Sequence, residues 1–178
     1  MLTIDPTRSL LLIVDFQSRL MPAIEDGAAA VANAGRLLRA ADLFGIPVLF
    51  TEQNSGGLGP TVPELAEAAN GRLYRKMTFD ACRGDGFFET LGARPDIVVT
   101  GCEAHVCVQQ TVLGLLDAGR RVHLVRDAVG SRRAESKETA IARMARHGAE
   151  IVTTEMVVFE WLGSAEHPGF REALKLVK

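Results

Sequence analysis

The chain has 178 residues, of which 47% are hydrophobic and 24% charged, with a net charge of -2 and three cysteines. This length can bury a sizeable core as a single domain, 1–178, and the charge balance gives neither nucleic acid nor an anionic membrane surface a hold. No apolar run approaches the ~20 residues of a membrane helix, and the start (Met1-Leu2-Thr3-Ile4-Asp5-Pro6) has no secretion-signal pattern. An odd, small cysteine number argues against a disulfide framework and for a cytoplasmic protein.

In chain order, Ser9 to Val14 is a continuous apolar run stopped by Asp15, which predicts a central strand buried on both faces. Helical spacing of Val31, Ala34, Leu37, Leu38, Ala41 and Phe44 predicts a helix from Gly27, closed by Gly45 and Pro47. Ile46 to Phe50 is a second strand, and Asn54 to Pro60 reads as loop. Pro63 to Ala69 predicts a short helix, Arg72 to Arg75 a strand stopping at Lys76, and Gly86 to Leu91 a brief helix. The strand Asp96 to Thr100 leads into a helix carrying Val108, Val112, Leu115 and Leu116. Arg121 to Val125 is a strand halted by Arg126-Asp127, and Glu135 to His147 a helix with Ile141, Met144 and Ala145 inward. Glu150 to Thr153 is the last strand, and helices follow at Met156 to Leu162 and Phe170 to Val177.

Six apolar strands alternating with helices predict an α/β fold: three layers, α/β/α, around a six-stranded, mainly parallel, Rossmann-like sheet. Ligands of such sheets bind beyond the carboxyl ends of the strands. Asp15, Lys76 and Cys107 each fall at or just past such an end. A thiol attacks a carbonyl carbon as thiolate, so it needs a base and a positive neighbour. Asp15 can accept and return the proton, Lys76 can hold both anions and, with the helix start, lower the thiol pKa toward neutrality, and backbone amides there can meet the oxyanion. Each residue also has a plain structural alternative: Asp15 as a turn cap, Lys76 as a solvated loop lysine, Cys107 as a small core residue. Cys102, His105 and Cys107 lack the distant partner pair of a zinc site, so no metal and no other cofactor is expected. Phosphate-loop and dinucleotide motifs are missing.

Four segments carry a resemblance: Leu11-Leu12-Ile13-Val14-Asp15-Phe16-Gln17, Gly45-Ile46-Pro47-Val48 running to Thr51-Glu52-Gln53, Leu73 to Phe79, and Thr100 to Thr111 with Val125-Arg126-Asp127-Ala128 beyond it. Through them the chain resembles the isochorismatase-like cysteine hydrolases over nearly its whole length. The resemblance implies an Asp15–Lys76–Cys107 triad. It also implies a cis peptide at Cys102-Glu103 that turns the Glu103 amide toward the Cys107 amide as an oxyanion hole. The metal-binding histidines of the nicotinamidase branch have no counterpart in Thr51-Glu52-Gln53-Asn54-Ser55, and the pattern is similar to the short isochorismatase-domain hydrolases instead.

The expectation is a metal-independent hydrolase of a small amide or related C–N bond, acting through a thioester. Isochorismatase-type vinyl ether hydrolysis, a non-catalytic protein and a thiol sensor are the alternatives. Phe16, Gln17, Glu52 and Phe79 are candidates for the substrate pocket by position. A small-molecule substrate and a homo-oligomer are expected, with Phe159, Trp161 and Phe170 as contact residues or, equally, as packing on the protein's own sheet.

Overall fold

The computed structural model describes residues 2–178. Six strands form one sheet: β1 (Ser9–Val14), β2 (Val48–Gln53), β3 (Leu73–Lys76), β4 (Asp96–Cys102), β5 (Arg121–Gly130) and β6 (Glu150–Val152). Their order is β3-β2-β1-β4-β5-β6, and every pairing is parallel. The helices are α1 (Gly27–Leu43), α2 (Ser55–Leu58), α3 (Pro63–Ala69), α4 (Phe87–Leu91), α5 (Gln109–Asp117), α6 (Ala134–Arg146), α7 (Thr154–Leu162) and α8 (Phe170–Val177).

Side chains of a strand point alternately to opposite faces, so an unbroken apolar run feeds two cores at once. In β1, Leu11 and Ile13 join Ala34, Leu37 and Ala41 of α1, Trp161 of α7 and Ala173 of α8. Leu10, Leu12 and Val14 join Phe87 of α4, Val112 and Leu115 of α5, and Ile141 and Met144 of α6. The result is the expected three layers. At roughly 1.5–3 kcal/mol for each large apolar side chain removed from water, these two interfaces supply most of the drive to fold.

Several local expectations needed correction. The segment expected as loop after β2 contains the single helical turn α2. Strand β5 does not stop at Arg126-Asp127 but runs on to Gly130. The polar pair sits where the β4–β5 register shifts, between Leu124 opposite Val99 and Val129 opposite Gly101. There Arg126 pairs with Glu138 at 2.8 Å, and Asp127 Oδ1 accepts from the Thr154 amide and hydroxyl, so the strand absorbs both charges and resumes with Ala128. In α6 Ile141 and Met144 face inward as expected, but the inward alanine is Ala140, while Ala145 faces solvent. Trp161 is buried and donates its indole N–H to Ser9 Oγ at 3.1 Å, which assigns it to the chain's own core; Phe170 packs there in part, and Phe159 stays exposed.

The sheet reverses its winding between β1 and β4, and in such sheets that switch point, beyond the strand ends, is where ligands bind. Gly101 makes this edge possible. A Cβ on it would lie 2.2 Å from the Val14 carbonyl oxygen, and its φ is +144°. We therefore expect Gly101→Ala to cost about 3 kcal/mol in urea unfolding. The control Gly45→Ala, at φ +66° with open space around it, should cost only about 1 kcal/mol.

Candidate active site

Asp15 leaves β1 in the left-handed region, at φ 51°, and is fully buried. Asp tolerates that conformation better than most residues because its short polar side chain bonds locally. Its carboxylate is held from two sides: Thr51 Oγ1 donates to Oδ1 at 2.6 Å and Lys76 Nζ to Oδ2 at 2.7 Å. Lys76 closes β3, two strands away, a span of roughly 10 Å that its long side chain crosses beneath solvent. Both side chains of this ion pair are 0% exposed.

Beyond β4 the chain turns at Glu103 into a π-helical segment, Ala104–Val108, which runs directly into α5. The peptide bond between Cys102 and Glu103 is cis. Cys107 lies in this first turn, 6% exposed, where Asp15 and Lys76 both act on its thiol. The thiol is not lowered toward neutrality. Burial raises its pKa first and the Asp15 charge raises it further, while Lys76 offsets only part. The resting group is a protonated thiol beside the Asp15 carboxyl group, and a base must remove its proton as it reacts.

The other cysteines differ. Burial pushes Cys102 up to about 12, and its sulfur turns toward Gly130 of β5. Cys82, half-buried beside Asp80, is also pushed up to about 12, chiefly by burial. Neither is an activated thiol of the kind a redox sensor requires.

The four pocket candidates separate. Phe16 packs into the core. Gln17 donates to the carbonyls of Gln53 and Gly59 and accepts from the Gln53 amide. Glu52 accepts from Thr61 and Ser55 and lies 3.6 Å from Arg75. Gln17 and Glu52 thus spend their polar atoms fastening the 54–62 segment beside the site. Phe79 is 49% exposed, shortly after Lys76. Among the described residues no group of three or more His, Cys, Asp or Glu is gathered so that it could hold a metal ion.

Thr51 orients Asp15, a role that no motif in the sequence announces. Its sequence signal was faint, a hydroxyl in an apolar strand, and only the register opposite Val14 places it there. Arg132, Ser131 and His105 also gather at this edge: Arg132 pairs with Glu103 at 2.9 Å, and His105 Nδ1 lies 3.0 Å from Ser131 Oγ.

The isochorismatase domain model matches residues 9–156. The chain is 39% identical over 172 residues to isochorismatase domain-containing protein 2 of Xenopus laevis, a match spanning 95% of this chain and 83% of that protein. Its fold is similar to MAR1 ribonuclease of Caenorhabditis elegans, with a TM-score of 0.92 and 36% identity over 98% of this chain and 92% of the other. It is also similar to YcaC of Pseudomonas aeruginosa, solved with hexane-2,5-diol and covalent acrylamide, at a TM-score of 0.88 and 27% identity over 98% and 91% of the two chains. No helix among the described residues is long and apolar enough to cross a membrane. Its sheet order, its extent and these likenesses agree: the chain belongs to the isochorismatase-domain family of isochorismatase-like hydrolases.

Proposed function

We propose that the protein is a cysteine hydrolase of a small amide or related C–N bond, working through a thioester on Cys107 without a metal. The observation that carries this reading is the buried Asp15–Lys76 pair at 2.7 Å, set against a protonated Cys107 thiol. Asp15 takes the thiol proton as sulfur attacks the carbonyl carbon, and the carbonyl electron pair moves onto oxygen. The Glu103 and Cys107 main-chain N–H groups receive that oxyanion. The Glu103 N–H has no main-chain acceptor among the described residues, and a donor left free beside a nucleophile suits such a role. Collapse breaks the C–N bond, Asp15 returns its proton to the leaving nitrogen, and a thioester remains. Water then attacks with Asp15 again as base, the C–S bond breaks, and the thiol is restored. Lys76 holds Asp15 in place throughout through their 2.7 Å contact. Vinyl ether cleavage would need no thioester, and nothing at the site favours it over acyl transfer. The covalent acrylamide in the YcaC neighbour fits a nucleophilic side chain in this fold.

RNA cleavage is a second reading, favoured by the name of the MAR1 neighbour. Against it, the net charge is -2 and the buried lysine is already paired to Asp15, so neither is free for phosphate.

Intact-mass spectrometry against an amide and ester library should trap an acyl adduct on Cys107, and Cys107→Ala should lower turnover on the order of 10⁴-fold or more. Unchanged turnover, or RNA hydrolysis that survives in Cys107→Ala, would replace the thiol mechanism. Because the folded thiol is raised, its alkylation by iodoacetamide should keep climbing, about tenfold per pH unit, from pH 7 past the usual thiol pKa of about 8.5. A plateau at neutral pH contradicts this. Lys76→Ala removes the one charge that lowers the thiol pKa, so alkylation at fixed pH should slow. The same change leaves Asp15 buried without its partner and should cost about 3–5 kcal/mol in unfolding. We further expect a homo-oligomer, with the exposed Met156 and Phe159 of α7 available as an apolar contact surface; light scattering should then give a mass above that of one chain.

A further inference from the structure

The segment that follows β5 is stitched to the turn carrying the nucleophile. Glu103 Oε2 accepts from the Arg132 amide at 3.1 Å and from Arg132 Nε at 2.9 Å. Ser131 Oγ lies 3.0 Å from His105 Nδ1. From its other side the segment is anchored by Glu25, whose amide donates to the Ser131 carbonyl at 3.0 Å and whose carboxylate accepts from the Ala134 amide at 3.0 Å. The Glu103 carboxylate is 9% exposed, whereas the Arg132 side chain is 60% exposed. The anion is therefore enclosed and its cation lies on the rim.

This matters because Glu103 carries two opposed groups. Its main-chain N–H is a donor for the oxyanion under the reading above, on which this inference rests. Its own carboxylate is a negative charge on the same residue. A donor helps the transition state only if it is held in place before charge develops, and a nearby uncompensated anion works against that charge. We propose that Arg132 is a positioning residue for acyl transfer. Its two donors to Glu103 fix the turn that presents the amide, and its guanidinium cancels the carboxylate beside the developing oxyanion.

The test compares two reactions of the same sulfur in the full chain. Acylation by p-nitrophenyl acetate passes through a tetrahedral oxyanion; alkylation by iodoacetamide displaces iodide directly and forms none. In Arg132→Ala the acylation rate at Cys107 should fall about ten- to a hundredfold, with alkylation within about twofold of the parent, since burial, Asp15 and Lys76 are the leading influences on this thiol. If Arg132→Ala fails to fold, Arg132→Gln carries the same comparison. Acylation and alkylation falling together would mean general loosening and overturn the assignment, as would acylation unchanged in the Arg132 variant. A parent protein that is alkylated at Cys107 but never acylated overturns the thioester reading as well as this one, whereas the preceding outcomes overturn this one alone.

Discussion

Two opposite charges, Asp15 and Lys76, meet 2.7 Å apart with no exposure to water, and the surrounding structure is arranged to keep them there. Burying such a pair is not a route to stability. Desolvation costs several kcal/mol per ion, and apolar residues of the same volume often do as well or better. Its use lies in its effect on a third group. Next to this pair lies the buried Cys107 thiol, which the Asp15 charge pushes up and the Lys76 charge draws partly back down.

The sheet topology supplies the place for this arrangement. Winding reverses between β1 and β4, so Asp15 and the turn carrying Cys107 come off neighbouring strands at one edge, while Lys76 reaches in from β3 across β2. Close approach of these two strand ends depends on the missing side chain of Gly101 against Val14. Thr51 sits one strand over, at the register that brings its hydroxyl onto Asp15. Around the rim, Gln17 and Glu52 pin one loop and Arg132 another, so the polar residues that surround the site mostly hold the chain to itself.

The resting state of Cys107 shows how position alone can mislead. A cysteine in the first turn of a helix with a lysine nearby suggests a lowered pKa. Here the lysine's charge is already answered by Asp15 and the sulfur is enclosed, so desolvation wins and the thiol stays protonated. The same competition governs β5. Arg126 and Asp127 look like a strand terminator, yet a register shift, an ion pair and a helix cap accommodate both, and the strand continues.

By itself the sequence determined what depends on local pattern and on residue type. The continuous apolar runs gave buried parallel strands because burial on both faces leaves no polar alternation, and the helical stripes gave the layers that cover them. Chemistry-bearing residues at strand ends followed from the rule that such sheets bind ligands at that edge, which is why Asp15, Lys76 and Cys107 could be named together. Tertiary structure alone decided what depends on distance and solvent. The 2.7 Å contact across two strands, the enclosure that raises the thiol, the Thr51 hydroxyl and the Arg132 clasp all join residues far apart in the chain. No periodicity records such contacts, because their strength is set by the three-dimensional neighbours that exclude water and fix the angle of approach.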